Sequence, residues 1–505
     1  MTYPKWKFAA LFLAGALSAC GFEPLNLWPL TLVAVALLIR EIELAPTRRG
    51  VFLRGLSFGA GHFLVGLNWI ITAFTYQAAM PAWVGVVAEV LLSLYMALFT
   101  GFAAMAVWRR NGRQRKGISV VLLFAAAWMF FEWLRSTLFT GFAWGPLGVT
   151  SIPGLARAGA WIGTYGLSGL VVLAGGALWL AVSRKVLHAA ALLAVVVLLP
   201  LGAHFLEPAA MAGPGIPVRI VQPNIPQDEK HELQLAEKHA RIYEKLSGPP
   251  SGKPRLLLWP EAATLSFLDI EPDARVELAK LLGPRDLLLL GGEAIDLDPS
   301  GGDEDTYYNS VFALDADARL RWRYAKAHLV PFGEYLPLRP ILSKIGIARL
   351  VPGDGDFKHG PGPRTFDLPG FGSVGVQVCY EIIFSGHVID EDHRPSFLFN
   401  PSNDAWFGSW GPPQHFAQAR LRAIEEGLPV VRATPTGISG VISPVGEVLA
   451  TLPREQAGVL DAVIPPPRSP TVCARLGLWV SAAFALILAA AGLVIRAREN
   501  RLRES

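Results

Sequence analysis

The stretch GVQVCYEIIF (residues 375–384) starts as a strand and ends on a thiol. Val374, Val376 and Val378 alternate with Gly375 and Gln377, the period of a half-buried strand, and Cys379, Tyr380 and Glu381 follow at its end. A lone cysteine there is ordinarily a small packing hydrophobe. With a pKa near about 8.5 it is only slightly ionised at neutral pH, so a reactive one needs a base or a cation beside it.

Two other strand ends offer such groups. In LLLWPEAATL (256–265) an apolar run leads into Trp259-Pro260-Glu261, which leaves a carboxylate just past a strand. In RLRWRYAKAHLVPFGEY (319–335), Leu320, Trp322, Tyr324 and Lys326 share one face while Arg321 and Arg323 take the other. A lysine on the apolar face is costly unless paired. Singly, Glu261 reads equally well as a helix cap, Lys326 as a snorkelling side chain and Cys379 as core. Together they place an acid, a base and a thiol at strand ends, where open α/β sheets bind ligands.

Short apolar runs recur around these three: Val218–Val221, Leu256–Leu258, Leu287–Leu290, Val311–Leu314, Leu320–Tyr324, Val374–Cys379, Phe397–Phe399, Val430–Ala433, Val441–Ser443 with Val448–Thr451, and Val459–Ile464. Helical patterns span Glu232–Leu246 and Gln414–Gly427, and Pro444–Glu447 has turn chemistry. Such a series predicts a layered α/β domain over 216–469, with Pro465–Pro467 as the linker out of it.

The flanks are different. Mean hydropathy is +0.38 and charged residues make up 17% of the chain, a membrane-protein composition. Apolar segments at Phe8–Cys20, Leu25–Ile39, Gly55–Phe74, Trp83–Trp108, Ile118–Phe139, Leu155–Val182 and Leu187–Leu206 predict a bundle of about seven spans over 1–210, and Leu476–Ile495 predicts a last helix over 475–496, about eight in all. The first is short, yet no signal-peptide cleavage site follows it. Basic residues cluster at Lys5 and Lys7, Arg40 to Arg54, Arg109 to Lys116, Arg184 and Lys185, and Arg496 to Arg503. If spans alternate, all of these fall on one side, which places both termini in the cytoplasm and the α/β domain on the opposite face. The net charge of +4 is thereby accounted for as a topology signal, and no nucleic-acid partner is implied. Glu89, Glu132 and Arg135 are charges within spans; the last two are expected to pair or to face the α/β domain.

Cys20 and Cys473 lie in or beside spans, so neither is placed to pair with Cys379. No Cys/His cluster has metal-ligand spacing. GPPSGK (248–253) is one residue short of a phosphate loop and runs into a proline, so no nucleotide site is proposed.

WPEAA (259–263), YAKAHLVPFGEYLP (324–337), CYEIIF (379–384) and SNDAWFG (402–408), with the many-span amino-terminal part and the single carboxy-terminal span, resemble the apolipoprotein N-acyltransferase family of the nitrilase superfamily over nearly the full length. The resemblance implies a membrane bundle plus an exported αββα sandwich in a multi-pass inner-membrane protein. It implies that Glu261 is the general base, Lys326 the transition-state stabiliser and Cys379 the nucleophile, with Glu334, Tyr380, Glu381 and Trp406 supporting. It implies acyl transfer through a Cys379 thioester, from a membrane phospholipid (phosphatidylethanolamine being the expected donor) to the amino group of a diacylglyceryl-apolipoprotein, by a monomer without cofactor or metal. One departure is His231, where the family often has tryptophan. Tyr335–Val351 reads either as a membrane-facing lid or as an ordinary surface loop. Two rival readings keep the same domain: a membrane-tethered amidase hydrolysing a soluble amide, and an inactive docking module.

Overall fold

The computed structural model describes residues 6–76, 81, 83–108, 117–230, 232–297, 305–345 and 355–504. Its amino-terminal part contains helices α1 (Trp6–Ala19), α2 (Trp28–Glu43), α3 (Arg48–Gly66), α4 (Ile70–Thr75), α5 (Trp83–Ala106), α6 (Ile118–Thr137), α7 (Gly159–Val182) and α8 (Val186–Phe205). Among the described residues five helices are long and apolar enough to cross a bilayer: Trp83–Ala106, Ile118–Thr137, Leu155–Val182, Val186–Phe205 and Trp479–Glu499; α1 is apolar but shorter.

The stretch expected as one span at Gly55–Phe74 is instead broken after Gly66, where the chain turns before α4. Its sequence explains this. α3 opens on Arg48 and Arg49 and buries Arg54, and Gly55, Gly59 and Gly61 are packing points against neighbouring helices. A Cβ on Gly61 would lie 1.9 Å from the Phe12 carbonyl of α1, so α3 is wedged between neighbours. The basic cluster at 109–116 and the departure at His231 lie outside the described residues.

The α/β domain is two six-stranded sheets. Strands β1 (Ile216–Gln222), β2 (Leu256–Leu258), β3 (Leu287–Asp296), β4 (Thr306–Asp315) and β5 (Leu320–Ala325) form one, with β12 (Gly458–Ile464) beside β1. The other runs β11 (Val448–Leu452), β10 (Ser439–Ile442), β9 (Val430–Ala433), β8 (Phe397–Pro401), β7 (Gly372–Val376), β6 (Thr365–Leu368). Each has three parallel strands at its centre, β1-β2-β3 and β7-β8-β9, so their carboxyl ends share one edge. In β2, Leu256 and Leu258 enter the core between the sheets while Leu257 enters the outer core with Tyr243 and Leu268. Both faces are therefore buried, as continuous apolar runs require. β7 corrects the half-buried expectation: Gly375 and Gln377 are buried along with the valines.

Helices α9 (Ala236–Ser247) and α10 (Pro272–Ala279) follow β1 and β2, α11 (Arg339–Leu342) follows β5, and α12 (Gly411–Glu426) follows β8. After β12 the chain enters α13 (Val472–Leu476) and α14 (Trp479–Glu504). β6 and α10 had no clear periodic signature. Cys20 falls just after α1 and Cys473 within α13, and all three cysteines are free. Leu338 and Ile341, in the stretch read either as a lid or as a surface loop, are exposed; from 346 to 351 that stretch lies outside the described residues.

The inter-sheet core continues into the bundle through Phe63, Trp69, Met96 and Trp144. Trp144 lies 4.5 Å from Trp69 and 5.0 Å from Phe407, and its indole donates to Gln414 of α12 at 2.8 Å. Glu425 of α12 accepts from the Thr164 N–H of α7 at 2.6 Å, from the Thr164 hydroxyl at 2.7 Å and from Ser385 at 2.9 Å, while pairing with Arg422 at 3.0 Å. Thr164 offers its N–H because Gly163 (φ 66, ψ 178) interrupts the helical ladder there. Glu132 and Arg135 do pair, at 3.7 Å, and Arg135 donates to the carbonyls of Phe142, Trp144 and Gly145, in the loop facing the α/β domain.

Candidate active site

Glu261 sits one turn past β2. The Pro260 carbonyl accepts from Gly291 at 3.1 Å, the Ala263 N–H donates to Gly291 at 2.8 Å, and Ala262 takes φ 48 to turn the chain. Gly291 has no alternative: a Cβ there would come within 2.6 Å of the Glu261 Cα. Lys326 follows β5, and its N–H is held by the Asn309 carbonyl of β4 at 2.8 Å. The face that carries Trp322 and Tyr324 also carries Lys326, which is 1% exposed, whereas Leu320, expected on the same face, packs against the outer core because the β4–β5 register shifts between Ala313 and Leu314. Cys379 follows β7 after two further residues and takes φ 51, a left-handed conformation that a non-glycine adopts only when its surroundings hold it.

These three strand ends converge. Lys326 Nζ donates to Glu334 Oε1 at 2.9 Å and lies 3.5 Å from Glu261 Oε1. Asn309 Nδ2 donates to both carboxylates at 2.7 Å. Glu334 Oε2 accepts the Val330 N–H at 2.7 Å, which fixes the loop after Lys326. The second Glu261 oxygen, Oε2, has no hydrogen-bond partner among the described residues, and the Cys379 thiol interacts with this carboxylate. Cys379 is 4% exposed.

Burial sets the electrostatics. It would push the Glu261 carboxyl up, but Lys326 above all, then Asn309 and Lys230, hold it below the usual carboxylate range. Burial and then the Glu261 charge push the Cys379 thiol well up, against Lys326 and the Asn403 backbone. Burial would lower Lys326, but Glu334 and Glu261 keep it firmly protonated. The resting pair is therefore a neutral thiol beside an ionised carboxylate. Proton transfer between them must accompany sulfur attack on an electrophile, with the Lys326 ammonium at hand for the charge that develops.

A second tier fixes the nucleophile. Glu381 accepts from Tyr324 at 2.9 Å, Ala327 N–H at 2.7 Å, His328 N–H at 3.0 Å and Val378 N–H at 2.6 Å, and burial pushes its carboxyl up to about 7 against those bonds. The Cys379 carbonyl is held by Asn400 Nδ2 at 3.3 Å and lies 3.1 Å from His415 Nε2. His415 Nδ1 lies 3.0 Å from Asp404, which pairs with Arg432 at 2.5 Å, and Arg432 also reaches Asn400.

Of the residues singled out in the sequence, Glu261, Lys326, Glu334 and Cys379 form one cluster and Glu381 braces it. Tyr380 points away, its hydroxyl donating to the Gly141 carbonyl of the bundle at 3.3 Å. Trp406 is also apart, half-buried on the turn 404–407 against Tyr76, with ring centroids 5.5 Å apart. Sequence reasoning missed Lys230, Asn309, Asp404, His415 and Arg432. Two were legible: Asn309 interrupts the inward face of Val311 and Ala313, and Arg432 sits in the apolar run Val430–Ala433.

Residues 14–177 match the family model for the apolipoprotein N-acyltransferase N-terminal domain, and 217–469 match the carbon-nitrogen hydrolase model. The chain is 37% identical to the apolipoprotein N-acyltransferase of Rhodopseudomonas palustris, over 94% of this chain and 92% of that one. It is 34% identical to that of Brucella melitensis, over 98% and 97%. The crystal structure of Saccharomyces cerevisiae Nit3, a nitrilase-superfamily protein, is similar over 51% of this chain and 93% of its own, at 22% identity and a TM-score of 0.36. With both of its parts matched and relatives aligned almost end to end, the chain belongs to the apolipoprotein N-acyltransferase family.

Proposed function

We propose that this chain N-acylates the amino-terminal diacylglyceryl-cysteine of apolipoproteins with a fatty acyl group taken from a membrane phospholipid, phosphatidylethanolamine being the expected donor. The observation that carries this reading is the neutral Cys379 thiol set against the ionised Glu261 and the charged Lys326 in a domain packed into a membrane bundle.

In the first half-reaction Cys379 sulfur attacks the ester carbonyl as its proton passes to Glu261, and Lys326 stabilises the oxyanion. The intermediate collapses with loss of the glycerol oxygen, which takes the proton from Glu261 and leaves as lysophospholipid. In the second, the neutral amine attacks the thioester, gives a proton to Glu261, and the departing sulfur recovers it. Ester to thioester is nearly balanced and thioester to amide runs downhill, so no nucleotide is required. The near-complete burial of Cys379 favours the amine over water.

The topology belongs to the same proposal: a bundle over 1–210, the sandwich over 216–469 on the outer face of the inner membrane, a last span over 475–496, about eight spans counting α1 to α3 with the five long helices, both termini cytoplasmic, and a monomeric protein. Glu334 and Glu381 serve as supports, and Tyr380 and Trp406 brace the site against the bundle. Incubating the purified full chain with phosphatidylethanolamine and weighing the Cys379 peptide tests the chemistry. A fatty-acyl adduct that a diacylglyceryl lipopeptide discharges as an N-acyl product is expected; activity surviving in Cys379→Ala would falsify the mechanism.

A further inference from the structure

Lys230 follows β1 in a loop where Asp228 is exposed and Glu229 half-buried, yet Lys230 itself is buried. Its Nζ donates to the Glu261 backbone carbonyl at 2.9 Å, the only hydrogen bond that this three-donor group makes among the described residues. The charged groups acting on it come from other elements: Glu261 after β2, Cys379 after β7 and Glu293 of β3. Glu293 is half-buried, burial pushes Glu381 up to about 7 and Asp404 is paired with Arg432, so the enclosed charges that remain are Glu261 and Glu334 against Lys326 and Lys230.

That balance gives Lys230 its meaning. Without it, two carboxylates would face one ammonium, and loss of the thiol proton would take place within an already negative, water-poor cluster. With it, the cluster is neutral before the proton moves. It stays neutral afterwards, since Glu261 loses a negative charge as sulfur gains one.

We propose that Lys230 is a positioning residue of the reaction, holding the Glu261 turn through its backbone carbonyl and supplying the second positive charge that allows Cys379 to become a thiolate. The inference rests on the acyl-transfer reading for its role in turnover, but not for its effect on the sulfur. Burial pushes the Lys230 ammonium down to about 8, against the pull of Glu261, Cys379 and Glu293, so its charge is lost in mildly alkaline solution.

The test uses the full chain as wild type, Lys230→Arg and Lys230→Met, with two readouts from pH 6 to 10: acylation of Cys379 by phosphatidylethanolamine, and alkylation of Cys379 by iodoacetamide, both read by peptide mass. A nearby opposite charge shifts a pKa by roughly one to three units. Lys230→Met should therefore acylate about ten-fold or more slowly at pH 7, with its alkylation profile displaced upward by about one pH unit or more. Wild-type acylation should fall above pH about 8, and Lys230→Arg, which stays charged, should move that fall upward. If Lys230→Met loses its thermal transition, the arginine variant alone decides. Wild-type pH profiles in the folded variants would overturn the inference. An alkylation shift in a protein whose wild type never acylates would support Lys230 while removing the acyl-transfer reading.

Discussion

The Glu381 carboxylate accepts the Ala327 N–H at 2.7 Å and thereby ties the turn that carries Cys379 to the strand end that carries Lys326. Its other backbone partners, Val378 and His328, flank the same two catalytic candidates. Glu381→Ala leaves the buried Val378 N–H and the part-buried Ala327 and His328 N–H groups without an acceptor, at about 1–3 kcal/mol for each that stays out of water. We expect a loss of about 3 kcal/mol or more in unfolding free energy, read as a lower thermal midpoint, and an acyl-enzyme rate reduced at least about ten-fold. Glu381→Gln, which keeps one acceptor oxygen, should fall between this variant and wild type.

Asp404 makes a pH prediction. Burial raises its carboxyl, but Arg432 and then His415 dominate and hold it at about 2, below its ordinary 3.8. A depressed folded-state pKa contributes stability above the unfolded value that is lost as pH falls through the folded one. Wild type should thus lose about 2 kcal/mol between pH about 4 and 2 from this group. Asp404→Asn should remove that dependence and destabilise the protein at neutral pH by about 3 kcal/mol or more, because Arg432 is left buried and unpaired. Equal acid sensitivity in wild type and variant would refute the assignment.

Gly291→Ala tests the packing behind Glu261. The added methyl meets the Glu261 Cα at 2.6 Å, the Ala262 nitrogen at 2.7 Å and the Pro260 carbonyl at 2.7 Å, all backbone that cannot rotate away. The expected cost is about 1–3 kcal/mol of stability, with Cys379 acylation lost more than stability is. Normal acylation kinetics in this variant would show that the Glu261 turn tolerates displacement.

Glu425 should govern docking. It joins the Thr164 N–H freed at the α7 kink, Ser385 of the α/β domain and Arg422 within α12. Glu425→Ala is expected to speed hydrogen exchange at residues 159–168 and 383–387 while leaving the inter-sheet core protected. Uniform exchange across the chain would instead indicate global destabilisation.

The sequence by itself determined most of the elements: short apolar runs marked eleven of the twelve described strands, β3 only in its first half and β4 only in its second, because a strand buried on both faces is written as a continuous apolar run. It also determined that Glu261, Lys326 and Cys379 stand at strand ends, and the surrounding motifs singled out Glu334 and Glu381. What it could not supply was distance. Asn309, His415 and Arg432 act from positions far along the chain, and Lys230 sits in a polar loop with no periodic signal, so their convergence on Glu261 and Cys379 is decided only when two sheets stack with their parallel strands ending at one edge. The third apolar segment makes the same point in the bundle. Its hydropathy reads as a single span, but close approach at Gly61 and the turn after Gly66 are properties of the neighbours it packs against.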